Sequence, residues 1–309
     1  MRRALSALAL LASLALQAQS GSELTITRPL WHGREHGSPI LPAAGFGLWF
    51  NLEPARASGI RTLALLAAAH LPGRYADVYG GRIPGAIEVV AIHADTGRVY
   101  HSAAERPGAV PLGDAMNPAP GPPPQGVAAV QDAEAWFNLD LRSHLGLPAR
   151  SGIYNVFLWL DELTSRPARA IVPGTAASSP ERPALAESGA VRWGAPRSSA
   201  VPGRGISIAF GADRRLHGAA SSEVLTGARF LTVIALDFRT RTFTPCSFAL
   251  PEGAGGGFDL DLKWLPGGPA ASPGKVFLVA VIGATLSNVL TLNPGVEGAT
   301  QPRLGHRLP

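Results

Sequence analysis

The chain holds a single cysteine, Cys246, among 309 residues. No intrachain disulfide can form, so stability has to come from core burial, which a chain of this length can supply in two domains. Beside Pro245, the lone thiol reads as a small buried apolar residue and not as a nucleophile. Lysine is nearly absent: Lys263 and Lys275 are the whole complement, and arginine carries the rest of the positive charge. The formal net charge of +5 therefore does not describe a basic patch. Arg2 and Arg3 fall in an N-terminal leader, the other arginines are scattered, and none lies in a run interleaved with aromatics. Nucleic-acid binding is not supported by that pattern. No G-x-S-x-G elbow, P-loop or G-x-G-x-x-G leading into a helix is present; Gly253 to Gly257 is a glycine-rich turn between strands.

Long apolar runs are confined to the N-terminus. Arg2 and Arg3 precede an apolar stretch from Ala4 to Leu16, broken only by Ser6 and Ser13, and small residues follow at Ala18 and Ser20. This is the layout of a cleaved secretory signal peptide over 1–20, too short for an ordinary spanning helix. An amphipathic first helix is excluded because no polar face recurs at helical spacing. No cysteine lies at the cleavage region for lipid attachment, and the residues around Arg2-Arg3 do not make a twin-arginine signal. Farther on, the run Val276 to Ile282 is strand-length and stops at Gly283, so no transmembrane segment is expected beyond the leader. An outer-membrane barrel would need about ten-residue alternating strands in even number, and the chain closes on Pro309 without an aromatic strand end. The expected location is periplasmic or extracellular.

What is present is a repetition. VAIHADTGRV (Val90 to Val99) returns as IALDFRTRTF (Ile234 to Phe243), and FNLDL (Phe137 to Leu141) as FDLDL (Phe258 to Leu262). GIYNVFLWLDELTS (Gly152 to Ser165) returns as GKVFLVAVIGATLS (Gly274 to Ser287), and GFGLWF (Gly45 to Phe50) is echoed by GISIAF (Gly205 to Phe210). Short blocks recurring in one order indicate a duplicated module. Strand signals dominate both copies. Phe137, Leu139 and Leu141 alternate with Asn138 and Asp140, as Phe258, Leu260 and Leu262 do with Asp259 and Asp261, which predicts one apolar and one solvated face. Tyr154 to Leu160 is apolar on both faces and should be central. The alternation and turns predict strands near 45–52, 60–70, 86–93, 98–102, 135–141, 152–160 and 167–172, then 205–211, 221–226, 229–238, 241–248, 257–263, 275–282 and 287–293. Ile60 to His70 is ambiguous, because its Ala and Leu content suits a helix while its place in the module suits a strand.

The expected fold is all-β: two tandem seven-stranded antiparallel β-sandwich domains after the signal peptide. The parts are an N-terminal extension 21–44, a first sandwich 45–173 with a Pro-rich insertion 105–131, and a linker 174–203. A second sandwich 204–294 and a C-terminal tail 295–309 complete the chain. Ala190 to Trp193 within the linker has the composition of a docked edge strand. Gly152-Ile153-Tyr154-Asn155-Val156 resembles the G-x-Y-x-V opening of the penultimate strand of bacterial immunoglobulin-like and fibronectin type III-like modules. That resemblance implies a sandwich whose tyrosine forms a corner with the preceding loop, a corner lost in the second copy where Val276 replaces Tyr154. It transfers no activity.

Chemistry-bearing residues are sparse. His32-Gly33-Arg34-Glu35-His36 matches H-x-x-E-H, but Pro29, Gly33, Gly37 and Pro39 deny it the helix that would place both imidazoles on one face, so it reads as an exposed loop. His70, His93, His101 and His144 lie near strand ends of the first module without the spacing that ties ligands together; His70, His93 and His101 are the candidate metal ligands. Asp161 and Glu162 form a carboxylate pair at a strand end. The paired polar residues Asn138/Asp140 and Asp259/Asp261 lack a D-x-D-x-D-G run for calcium. Of the tryptophans, Trp31, Trp193 and Trp264 fall in loop-like settings where a ring can stack on sugar or a partner. The chain thus reads as an exported non-enzymatic binding or envelope scaffold, with a protein or carbohydrate partner and no cofactor. The rival is a secreted hydrolase or metal-dependent enzyme using the first-module histidines and carboxylates. Features unique to one copy are the better candidates for function. Binding is therefore expected at the first-module insertion and its junction with the linker: Arg106, Asp114, Met116 and Asp132, with Trp193 and Trp264.

Overall fold

The computed structural model describes residues 23–42, 45–79, 82–105, 132–175, 191–195, 205–213, 215–261 and 274–293. Residues 1–20, expected to be a signal peptide, most of the Pro-rich insertion and the tail lie outside them. Strand is the dominant element, and the chain is all-β with short helical turns. Among the described residues, no helix is long and apolar enough to cross a membrane.

Four sheets carry the fold. The first runs β1 (Leu24–Ile26), β3 (Gly47–Ala57), β4 (Ile60–Leu71), β7 (Ala133–Asp140) and β2 (Leu30–His32). The second runs β10 (Ala168–Val172), β8 (Gly152–Leu160), β5 (Glu88–His93) and β6 (Val99–Ala103), with β9 (Leu163–Thr164) on β8. The third runs β11 (Val191–Gly194), β16 (Gly257–Asp261), β13 (Arg215–Ala220) and β12 (Ile206–Phe210). The fourth runs β15 (Phe243–Ala249), β14 (Phe230–Asp237), β17 (Val276–Ile282) and β18 (Thr285–Leu286), with β19 (Leu290–Leu292) on β17. Short helices α1 (Gly73–Tyr79), α2 (Ile83–Ala86), α3 (Leu141–Leu145) and α4 (Ser222–Leu225) close the connections.

The hydrophobic clusters give the stacking order. Leu65, Leu71, Phe137, Tyr154, Val156 and Leu158 belong to a core between the first and second sheets. Leu216, Leu231, Val233, Phe258, Leu260 and Leu278 form its counterpart between the third and fourth. A third cluster joins Val90, Ile92, Phe157 and Trp159 of the second sheet to Ile234, Leu236, Phe277, Val279 and Val281 of the fourth. The layers therefore run first, second, fourth, third. The two-sided apolar character of β8 has its cause here: Tyr154, Val156 and Leu158 face one core while Phe157 and Trp159 face the other, as alternation along a strand requires.

The ambiguous 60–70 segment is a strand. It pairs with β3 from Ile60↔Ala57 to His70↔Gly47, and with β7 on its other side. Leu65, Ala67 and Ala69 face the main core, while Ala64 and Leu66 meet Ile26 and Ala55 on the outer face. A strand covered on both faces can be Ala- and Leu-rich, and this tertiary covering overrides helix propensity. The strand expected over 221–226 is a correction: that stretch is the helical turn α4, and the strand is β13 just before it. The RLHGAA sequence of β13 contains no β-branched residue, so it carried little strand signal. Asn138 and Asp140 are a second correction, since both are buried instead of solvated. β2 pairs alongside β7, Asn138 Nδ2 donates to the Gly33 carbonyl at 2.8 Å, and Thr62 Oγ1 donates to Asp140 Oδ1 at 2.5 Å. Asp140 also accepts from the Arg142 N–H at 3.2 Å and so caps α3.

The residues 21–44, set apart in sequence as an extension, supply β1 and β2, and the first two sheets hold β9 as a further short strand. Val191–Gly194 docks as β11 on the edge of β16. The H-x-x-E-H segment starts at His32, the last residue of β2, and leaves the strand for irregular backbone, with Gly33 and Gly37 at φ of 127° and 92°. The fourth repeat block is offset: Phe50 pairs across from Ala67, and Ala67 from Phe137, whereas the residue level with Phe258 through Gly218 is Ile208, not Phe210. A shift of two residues keeps the facing of every side chain.

Candidate binding cleft where the second and fourth sheets meet

The duplicated hairpins and turns meet at the buried layer. Gly97 N–H donates to the His93 carbonyl in the β5–β6 turn, and Arg241 N–H donates to the Asp237 carbonyl in the β14–β15 turn, both at 2.9 Å. Leu158 N–H donates to Ser165 Oγ at 2.8 Å, and Ala280 N–H to Ser287 Oγ at 2.9 Å. These bonds match Gly97 with Arg241 and Asp161 with Gly283. All four have positive φ: 67°, 55°, 49° and 57° respectively. At each matched pair, one copy uses glycine, which adopts this conformation freely, and the other a charged residue that does not.

Those two charged residues face each other. Arg241 Nη1 donates to Asp161 Oδ1 at 3.1 Å, and Nη2 donates to the Ala86 carbonyl at 2.6 Å. Tyr79 Oη donates to Asp161 Oδ2 at 2.5 Å, and Trp159 Nε1 donates to the Asp161 carbonyl at 2.7 Å. Burial first, then the hydrogen bond to the Asp161 carboxylate and its charge, push the Tyr79 phenol far above its ordinary value, so it stays protonated. Lys275 Nζ meets Glu162 Oε1 at 2.8 Å on the same side. His101 stacks on Phe243 at 3.9 Å between ring centroids, with Nδ1 at 3.5 Å from Glu88 Oε2. This end of the layer is closed by paired side chains.

The opposite end, at Gly97 and Gly283, is joined by smaller groups. Ser247 Oγ donates to the Gly97 carbonyl at 2.6 Å, and Asn155 Nδ2 donates to the Gly283 carbonyl at 2.7 Å. Thr232 Oγ1 lies 2.9 Å from Ser247 Oγ in the buried layer. Beside them is an open cleft of about 160 Å³. Ile92, Phe230 and Val281 give it apolar walls, Asn155 and Thr232 polar ones, and Arg169 and Arg229 lie among its lining residues.

The residues singled out in the sequence are dispersed. Arg106, Asp114, Met116 and Trp264 lie outside the described residues. Asp132 is exposed and sits 3.6 Å from His70 Nε2. Trp193, on β11, packs partly buried against the second core with its ring 5.8 Å from Phe258. His70 is on β4 of the first sheet, His93 ends β5, and His101 is on β6. Among the described residues, no three or more His, Cys, Asp or Glu side chains are grouped to hold a metal ion. His93 accepts from Asp95 N–H through Nδ1 at 3.2 Å and lies edge-on to Tyr154 at 5.0 Å. Cys246 is buried, and burial raises its thiol pKa. The carboxylates Asp161 and Glu162 do not act as a pair: Asp161 is bound by Arg241 and Glu162 by Lys275. Arg169, Arg229 and Asn155 were missed, because no local pattern marks residues that meet only when two sheets stack.

No protein-family model matches the chain, and no curated protein matches it. Among solved structures it is similar to the crystal structure of chicken CNTN1 FN1–FN3 domains, at 13% identity and a TM-score of 0.19. The match covers 80% of this chain and 63% of that one, so the chain spans less than two thirds of that structure's length.

Proposed function

We propose that this chain is an exported, non-enzymatic binding or envelope-scaffold protein, built from two immunoglobulin-like or fibronectin type III-like β-sandwich modules fused face to face after a cleaved signal peptide. The strand order supports the modular reading. β3-β4-β7 faces β10-β8-β5-β6 in the first copy, and β12-β13-β16 faces β19-β17-β14-β15 in the second. Leaving out the two-residue strands β9 and β18, each copy sets its first, second and fifth strands opposite its third, sixth and seventh, the division of an immunoglobulin-type sandwich, with the fourth strand on the latter sheet. The observation that carries the scaffold reading is the buried layer between the second and fourth sheets. Joined sheets hold the loops of both modules in one fixed frame, which suits a platform for recognition. The partner, a protein or carbohydrate, is placed at the Glu105 to Gln131 insertion and its junction with 174–203, with Arg106, Asp114, Met116, Asp132, Trp193 and Trp264 as contact residues.

Fractionation with N-terminal sequencing tests the export. The mature protein should be found outside the cytoplasm, beginning after Ala18 or Ser20. Accumulation in the cytoplasm with the leader uncleaved would overturn it. Deleting Gly108 to Gly126 should leave the Tm almost unchanged while weakening binding. Unfolding of the first module on deletion would make the segment structural instead.

A further inference from the structure

The open end of the layer holds cations without counter-charges. At the closed end Arg241 pairs with Asp161 and Lys275 with Glu162. At the open end, Arg169 and Arg229 are both exposed, neither forms an ion pair among the described residues, and no carboxylate lines the cleft. The register explains how Arg169 comes to be there. Arg169 lies across from Asn155, and Asn155 from Ile92, so the three share the side of the second sheet that faces the fourth. Arg229 arrives from the other module, one residue before β14. The site therefore exists only because the two halves are stacked.

We propose that this cleft binds a small organic anion, a carboxylate or phosphate monoester with an apolar flank, its charged head held by Arg169 and Arg229 and its flank against Phe230 and Val281. Guanidinium groups suit both head groups, since each offers paired N–H donors to two oxygens. The volume of about 160 Å³ is near that of a cavity of about 150 Å³ which takes one benzene ring, so the flank is limited to about one ring. Gly283, where the other end has Asp161, lines the cleft without a side chain to fill it. This inference is independent of the loop-borne partner proposed above.

Calorimetric titration of the mature chain with phenyl phosphate, benzoate, inorganic phosphate and neutral benzamide tests it. Phenyl phosphate and benzoate should bind and benzamide should not, with the stronger of the two anions identifying the preferred head group. Inorganic phosphate should bind at least tenfold more weakly than phenyl phosphate, because it lacks the flank. The double variant Arg169→Gln/Arg229→Gln should lose at least tenfold in affinity with an unchanged Tm, while Arg166→Gln, exposed and outside the cleft, should bind as the parent does. Equal binding of benzamide would overturn the anion assignment. Undiminished binding in the double variant, or no binding of either aromatic anion, would overturn the site.

Discussion

His217 lies between two carboxylates on the third sheet, with Nδ1 2.6 Å from Asp259 Oδ1 and Nε2 2.8 Å from Asp213 Oδ1. Burial alone would lower its pKa, but the hydrogen bonds to Asp259 and Asp213 outweigh this and raise it. The folded value thus lies above the unfolded value of about 6.5. Stability from this cluster is fully present below about pH 6.5 and is lost as the pH rises through the folded pKa. Urea denaturation across that range should show the decline, and His217→Gln should remove it; a parent that gains stability there would refute the assignment. The Arg241–Asp161 pair calls for a different magnitude. Asp161 is buried, so Arg241→Ala leaves its charge with only the Tyr79 hydroxyl and should cost about 2–4 kcal/mol. The Lys275–Glu162 pair is exposed, and Lys275→Ala should cost less than about 1 kcal/mol. Equal losses in the two variants would contradict the contrast in burial.

At the scale of the element, glycines show where strands tolerate nothing larger. A Cβ on Gly218 of β13 would lie 2.0 Å from Cζ of the Phe258 ring directly across on β16, and one on Gly152 of β8 would meet the Tyr154 ring at 2.8 Å. In β8 the aromatic ring leans back over the glycine two residues before it, which gives the G-x-Y spacing a packing reason. A Cβ on Gly194 of the edge strand β11 meets nothing within 4 Å. Gly218→Ala should therefore destabilise by about 1–3 kcal/mol through overpacking, and Gly194→Ala should stay within about 0.5 kcal/mol. Comparable melting temperatures for the two variants would show that Phe258 can move aside. The repeated serines serve equivalent roles after β9 and β18, where Ser165 and Ser287 accept the N–H of Leu158 and Ala280. Either Ser→Ala change leaves a buried donor unsatisfied, a loss of about 1–3 kcal/mol measurable by denaturation.

Across the whole molecule, the decisive feature is the apolar layer between the second and fourth sheets. Phe157, Trp159, Ile234, Leu236, Phe277 and Val279 are fully buried in it. Two modules sharing such a layer should unfold as one cooperative unit, unlike domains tethered only by a linker. Trp159→Ala removes a large buried ring from this layer and should cost about 3–5 kcal/mol, lowering the melting of both halves together. A protease site placed within 176–190 gives a second check: after cleavage the fragments should still co-elute on size exclusion. Separation of the fragments, or two independent unfolding transitions, would show that the layer does not hold the halves together.

The sequence by itself determined the β character and the position of most strands, because alternation and turn residues act locally. It also marked β8 as covered on both sides, through Phe157 and Trp159 facing opposite to Tyr154, Val156 and Leu158. Only the tertiary structure decided what covers that second side. The 60–70 segment shows the limit: its alanines and leucines are indifferent between helix and strand until β3 and β7 pair on either side of it. Asn138 and Asp140 carry the polar alternation of a solvated face, yet they are buried because β2 returns from far along the chain. Arg169, Arg229, Asp161 and Arg241 have no spacing that could announce them, since each meets its surroundings across the stacked sheets. Local pattern fixes which way a side chain points from its strand, and the stacking of sheets fixes what it points at.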